Sequence, residues 1–511
     1  MSWLPSVLVA TPAVGAVALL VWPRAASERH APITGVVVTG VALLLSLAAV
    51  PATVGASGMA LEADLPWIPG LDVRWHLGVD GISLPLVLLT TLLTLLCMVS
   101  LLRGRAPGGG SVRALVSVVL LLESGVLGTF LALDLVLFFV FFELVLVPMW
   151  FVIADWGDPH DLPGRRRAAS TFLLLTVVGS AVMLAGFLLV YAHTGTFDMV
   201  ALASRAGAGI PAGSQLVAAL AIGLGLAVKS PMWPLHIWLP DAHAKAPTVG
   251  SVLLAGVLLK MGTYGFVRIW LPVAPDGARA VAPYLAVLAA VGIVYGALAC
   301  LAQTDLKRLV AYSSVGHMGF VLLGIATLTP VGVNGALVAN IAHGLITGLL
   351  FFLVGALKDR HDTSDLVGLG RGLYARSPRL GATLALAAMA SLGLPGLAGF
   401  WGEMLTLLGA FDPAAGLSRP TYLVCMVLGG LGAVLTATYF VKVLRAVCQG
   451  DPAVRAVPLA TGWSGRPVEA TRQELAVWVP LVALTVLIGL APGLLLDVVA
   501  PAVDALLGGE A

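Results

Sequence analysis

Apolar stretches long enough to cross a hydrocarbon core recur along the whole chain, and several carry an ionisable residue near their middle. A crossing helix needs roughly 20 consecutive, mostly apolar residues. Such stretches lie near 5–22, 31–51, 82–102, 113–132, 134–155, 168–192, 213–230, 248–271, 281–302, 308–327, 331–357, 380–411, 420–445 and 475–498. The expected fold is therefore an all-α polytopic membrane protein with about fourteen transmembrane helices. Composition agrees, because only 11% of the 511 residues are charged, against about 25% in soluble domains. The first run, SVLVATPAVGAVALLVW, lacks a preceding basic region and reads as a retained span, not a cleaved signal. No basic cluster is dense enough to call for a nucleic-acid partner.

Charge placement orients the spans. With the N-terminus outside, loops after odd-numbered spans face the cytoplasm, and 21 of the 28 Lys and Arg fall on that side. Five fall on the other side, Arg268 among them, while Lys229 and Lys260 stay within the membrane. Such a bias follows the positive-inside rule and places both termini outside.

Backbone chemistry breaks two spans. In the seventh, KSPMWPLHIWLPDAHAKAPT (229–248), Pro231 and Pro234 remove amide donors. In the twelfth, SLGLPGLAGFWGEM (391–404), the breaker is Pro395–Gly396. The breaks lie five spans apart, so spans four to eight and nine to thirteen read as two inverted five-helix repeats, a layout that marks ion paths in transporters. The expected divisions are 1–112 (spans one to three), 113–271 and 281–448 (the repeats), and 449–511 (a loop and span fourteen).

Charge at membrane depth is costly and must pair or face water. Glu123, Glu143 and Lys260 are central in their spans. Lys229 ends a half-helix, where the dipole favours a cation, and Glu403 lies near the start of another, where it favours an anion. His317 and His343 can each relay a proton through two ring nitrogens, although a buried histidine is as often a satisfied core residue. Asp134 reads as a helix cap, and Asp305, Lys307 and Arg308 as a solvated loop with capping and orienting roles. The four cysteines, at 97, 300, 425 and 448, lack metal-site spacing. No Walker loop or dinucleotide fingerprint is present, so redox chemistry is expected on other chains.

These segments resemble a known family. LLESGVLGTFLALDLVLFFVFFELVLVPMW, KSPMWPLHIWLPDAHAKAPT, QTDLKRLVAYSSVGHMGF, HGLITGLLFFLVGALKDR, SLGLPGLAGFWGEM and WHLGVDGISLPL are similar, in order, to the antiporter-like subunits of respiratory complex I, over roughly residues 70–500. Glu403, where sister L-type and N-type chains carry lysine, and an end at 511 without a long lateral helix resemble the M-type. The resemblance implies a proton path in which Glu143 pairs with Lys229, Lys260 is the central carrier, His317 and His343 connect, and Glu403 releases. It implies neighbouring L and N chains, while the alanine-, glycine- and arginine-rich composition points to a bacterial plasma membrane. It also implies NAD, FMN, iron–sulfur clusters and quinone on partner subunits, with none of them here. Thr171 and Lys245 depart from the family pattern near the seventh span. The alternatives are a subunit of a multi-subunit sodium/proton antiporter or of a membrane-bound hydrogenase.

Overall fold

In the computed structural model, which describes residues 2–102, 108, 110–450 and 469–508, thirteen helices are long and apolar enough to cross a membrane. They are α1 (Leu4–Val21), α2 (Arg24–Thr53), α3 (Ser83–Leu101), α4 (Val112–Leu131), α5 (Leu135–Trp156), α6 (Leu162–Thr194) and α7 (Ala212–Lys229). After these come α8 (Thr248–Val273), α9 (Pro275–Ala302), α10 (Leu306–Ala326) and α11 (Pro330–His361). The expected twelfth span is instead two helices of 14 residues, α12a (Pro378–Ser391) and α12b (Ala398–Phe411). Each is about 21 Å long at 1.5 Å per residue, short of a 30 Å core. Then follow α13 (Arg419–Val447), α14 (Arg472–Leu490) and a final helix, α15 (Gly493–Leu506).

The loops separate into two ends, as span alternation requires. Loops and helix termini that follow odd-numbered spans meet around one open cavity, lined by Asp158, His160, Ala246, Lys307, Lys358 and Glu474 among others. At the opposite end a β-hairpin, β1 (Leu61–Ile68) paired antiparallel with β2 (Val73–Val79), gathers the loops after even-numbered spans. There Leu133 donates its amide to His76 O at 2.9 Å, and Trp75 Nε1 donates to Ser6 Oγ near the start of α1 at 3.0 Å. The hairpin is an addition to the all-helical expectation. Its alternating apolar positions and Pro69–Gly70 turn are ordinary hairpin signals.

Two loop crossings repeat one pattern at opposite ends. Leu135 N donates to Phe197 O and Met199 N to Leu133 O, at 2.9 and 2.8 Å. Leu306 N donates to Ser364 O and Leu366 N to Thr304 O, both at 2.8 Å. The bridged residues are Asp134 with Asp198 and Asp305 with Asp365. Each crossing joins the start of a helix to the loop after the next one, and the two helices so capped, α5 and α10, are five spans apart. The second bridged segments read TFDMVAL (196–202) and TSDLVGL (363–369), a local likeness between the two halves. Asp134 and Asp305 both cap helices as expected, accepting from Leu137 N at 3.0 Å and Arg308 N at 2.8 Å.

Three basic residues assigned to loops are instead buried. Lys307 lies inside the first turn of α10, with its ammonium donating to Ala246 O. Arg268 lies within α8, paired with Asp80. Arg360, at the end of α11, holds Glu474 of α14 in a two-pronged ion pair at 2.8 Å. Of the loop basic residues counted for orientation, Arg103, Arg105, Arg455 and Arg466 lie outside the described residues.

Candidate functional site

The most apolar 18-residue stretches of α8 and α11 are wrapped completely by protein. They also approach closely: a Cβ on Gly344 would lie 2.9 Å from Gly256 O. Small residues at such a contact let two helices meet backbone to backbone. Lys260 sits between two π-helical turns, Leu254–Leu258 and Phe266–Trp270, a feature that recurs at functional sites because it re-aims side chains and carbonyls.

The fully buried Lys260 ammonium is held by Ala255 O and by His343 Nδ1, the latter at 2.6 Å. One turn along each helix, Thr263 Oγ1 donates to Asn340 Oδ1 at 3.1 Å and fixes the register. The other ring nitrogen of His343 has no hydrogen-bond partner. It belongs to a ring whose centroid is 5.6 Å from that of His317. His317 Nε2 meets Ser391 Oγ at 2.9 Å, and its Nδ1 lies 3.3 Å from Glu403 Oε1. A small cavity lined by His317, His343, Ser391 and Glu403, among others, has room for a water molecule. Four sequence-nominated residues on α8, α11, α10 and α12b thus form one connected row.

The break in the twelfth span builds the far end of that row. Ser391 ends α12a, Glu403 lies in the second turn of α12b, and Gly393 turns the chain between them at φ +74°. The break therefore points a hydroxyl and a carboxylate at the same imidazole.

Glu143 and Lys229 stand apart from this row, and they do not form the direct pair that the resemblance implies. Lys229 ends α7 and packs its ammonium 4.7 Å from the centre of the Phe142 ring, without a hydrogen-bond partner. A buried cation over an aromatic face gains roughly 0.5–2 kcal/mol, well below what an ion pair inside the membrane would supply. Glu143, beside Phe142, leaves its Oε1 unbonded. The two are close enough to attract without touching. Glu123, in α4, is buried with neither oxygen bonded, and it joins none of these contacts.

One residue was missed. His243, on the short helix Leu239–Lys245 that follows the seventh-span break, is fully buried and stacks on Phe351 at 4.6 Å. Neither of its ring nitrogens has a partner. It lies within electrostatic reach of Lys260 and Lys307, between the open cavity and the row. Its sequence signal was present, a histidine in the loop of a broken span. At the cavity mouth, burial works against the Asp158 carboxylate, but Lys358 at 3.6 Å, the His160 amide and Lys245 together outweigh it and hold the group below the usual range. Among the described residues no cluster of three or more His, Cys, Asp or Glu could hold a metal ion.

Buried titratable groups in sequence across four helices, two broken spans and a fold of membrane-length helices define an antiporter-like integral membrane subunit. Known proteins agree. The profile of the family described as NADH:quinone oxidoreductase/Mrp antiporter, TM, matches residues 132–434, and the chain belongs to that family. It is 39% identical to NADH-quinone oxidoreductase subunit M of Rhodobacter capsulatus, over 98% of this chain and 95% of that one. It is also 39% identical to NAD(P)H-quinone oxidoreductase chain 4 1 of a Picosynechococcus species, over 90% and 83%. Among solved structures, it superposes on a chain of respiratory complex I from Thermus thermophilus with TM-score 0.85 and 31% identity, covering 99% and 100%. The fold alone is shared with a chain of the Mrp complex from a Dietzia species, at TM-score 0.84 and 23% identity over 98% and 97%.

Proposed function

We propose that this chain is the M-type, proton-translocating membrane subunit of an NADH–quinone oxidoreductase in a bacterial plasma membrane. The observation that carries the reading is the contact row Lys260–His343–His317–Glu403, because each member can both take up and release a proton. Protons enter from the open cavity, pass His243, load Lys260, and move through the two imidazoles to Glu403, which releases them toward the opposite end. The basic bias of the odd-numbered loops supports a cytoplasmic cavity with both termini outside. The twin loop crossings support two inverted five-helix units, 113–271 and 281–448.

Lys229 and Glu143 act as the coupling pair. A charge change on a neighbouring subunit alters their attraction, and the freed Lys229 ammonium repels the proton on Lys260 along the row. The packing of α7 against the Lys260 segment of α8 supports this coupling. Moving one charge against 100 mV takes about 2.3 kcal/mol, so the work must come from redox chemistry elsewhere. NAD, FMN, iron–sulfur clusters and quinone belong to partner subunits, and the L-type and N-type chains are the expected membrane neighbours.

The test is Lys260→Met in the assembled complex. Proton pumping should fall while NADH oxidation in the presence of an uncoupler persists, and Glu143→Gln should do the same. Unchanged proton-to-electron ratios in both variants would defeat the reading. Purification through a tag on this chain, with NADH-driven quinone reduction in the eluate, separates this assignment from a gradient-driven antiporter.

A further inference from the structure

Lys260, Tyr264 and Arg268 succeed one another at four-residue intervals along α8, and so share one face. The row described above leaves Lys260 sideways, toward α11. The straight continuation of α8 toward the hairpin end is filled by a different set of groups. The Arg268 guanidinium donates to Asp80 Oδ2, and its Nε donates to the Tyr264 hydroxyl at 3.2 Å. That hydroxyl donates to Phe130 O at 2.8 Å. Asp80 is held at the start of α3, where its other oxygen accepts from Ile82 N and Ser83 N at 3.1 and 2.9 Å. All three side chains are buried. Beyond them α15 closes the end, and a Cβ on Gly81 would overlap the Val498 carbonyl.

These groups bond well and conduct badly. A proton travels along a hydrogen-bonded chain only where each member can both accept a proton and give one up. Guanidinium has no acceptor and keeps its protons at any accessible pH. A backbone carbonyl accepts but has nothing to pass on. The Tyr264 hydroxyl is therefore lodged between a donor that does not release and an acceptor that does not transmit. At the other end of α8, by contrast, Thr248 and Val249 border the open cavity.

We propose that Tyr264, Arg268 and Asp80 form a proton-tight seal over the hairpin-side half of α8. The seal denies Lys260 a direct route to that end and confines protons to the lateral row. This rests on the proton-path reading above, and it makes the three positioning residues, whose task is to keep the carriers from short-circuiting. It also explains a buried ion pair that the row itself does not use.

The experiment uses membrane vesicles holding the whole complex, at rest without NADH, with a pH difference imposed and its decay followed. Arg268→His places a titratable ring in the seal and should speed the decay several-fold per assembled complex. The double variant Asp80→Asn with Arg268→Gln keeps donors and acceptors but does not titrate, and it should decay as slowly as the parent. Tyr264→His leaves the ion pair in place and should also stay tight. A parent-like decay in assembled Arg268→His overturns the seal, as does an equal leak from Arg268→His and the double variant. A leak from Tyr264→His overturns it too, and this variant carries the test if Arg268→His does not assemble. The proton-path reading fails on a separate measurement, pumping during turnover in Lys260→Met.

Discussion

Replacing Gly393 by alanine should uncouple the complex through a displacement of less than an ångström. Gly393 holds φ +74° in the break between α12a and α12b, and an alanine in that left-handed region costs about 1–2 kcal/mol. The new Cβ would also lie 2.7 Å from Glu403 Oε2, where ordinary contact begins at 3.4 Å, so the carboxylate must retreat by about 0.7 Å. Its other oxygen stands 3.3 Å from His317 Nδ1. A retreat of that size takes the pair toward about 4 Å, outside the reach of a direct proton hop. Misplacements near 1 Å cost reacting groups up to about a hundredfold, so transfer from His317 to Glu403 should slow roughly ten- to hundredfold. Gly396→Ala is the control. Its φ is +91°, so the backbone cost is alike, but the nearest atom to its Cβ is Leu490 Cδ2 at 3.7 Å. The assay is the proton-to-electron ratio in vesicles, normalised to assembled complex on native gels. Gly393→Ala should lower the ratio and Gly396→Ala should not. A parent-like ratio in assembled Gly393→Ala, or an equal loss in both, would refute the role given to the Glu403 carboxylate.

Other consequences are open to measurement. His243→Phe should keep the stacking on Phe351 and so preserve assembly while lowering pumping; intact pumping would remove His243 from the path. Glu474→Ala strips the carboxylate from the buried Arg360 guanidinium and should destabilise the α11–α14 junction by about 3–5 kcal/mol, read as lower assembly and melting temperature; no change would mean the pair is not a tie. At the hairpin, burial works against a charged His76, but Asp198 at 2.7 Å, with Asp64 and Glu62, outweighs it and raises the imidazole above its usual 6.5, while Asp198 itself is lowered from 3.8. The histidine's contribution is then complete below about pH 6.5 and is lost as pH rises through the raised value. The aspartate's is complete above about pH 4 and is lost as pH falls through the lowered one. The protection of amides across residues 61–79, taken against their intrinsic exchange at each pH, should therefore be greatest between those limits and fall on the alkaline side, and His76→Gln should abolish that alkaline fall.

The helices were legible because transmembrane length is a one-dimensional property: α8 begins at Thr248, where the expected span begins, and α5 differs from its expected span by one residue at each end. The breaks were legible for the same reason, since proline and glycine act on their own backbone. Contacts across helices were harder to read. Nothing in the sequence says that Glu143 and Lys229 stop short of touching, because that depends on how α5, α6 and α7 seat Phe142 and Phe172 around the ammonium. Nor does it announce the π-helical turns around Lys260, which are imposed by packing. Lys307 and Arg268 were misplaced because a basic residue near a predicted span end reads as interfacial, whereas here each meets a buried acceptor, Ala246 O and Asp80. The hairpin went unread because two short strands are a faint signal beside so much apolar helix.

The enclosure of α8 and α11 has one last consequence. Lipid can reach the flanks of α2 and α14, where only 28% of the apolar window is covered, but the windows of α8 and α11 are covered completely. The polarity felt by Lys260 and His343 is thus set by neighbouring side chains and trapped solvent, not by fatty-acid composition. Changing acyl length or saturation should alter how this subunit sits among its companions long before it alters the chemistry along its axis.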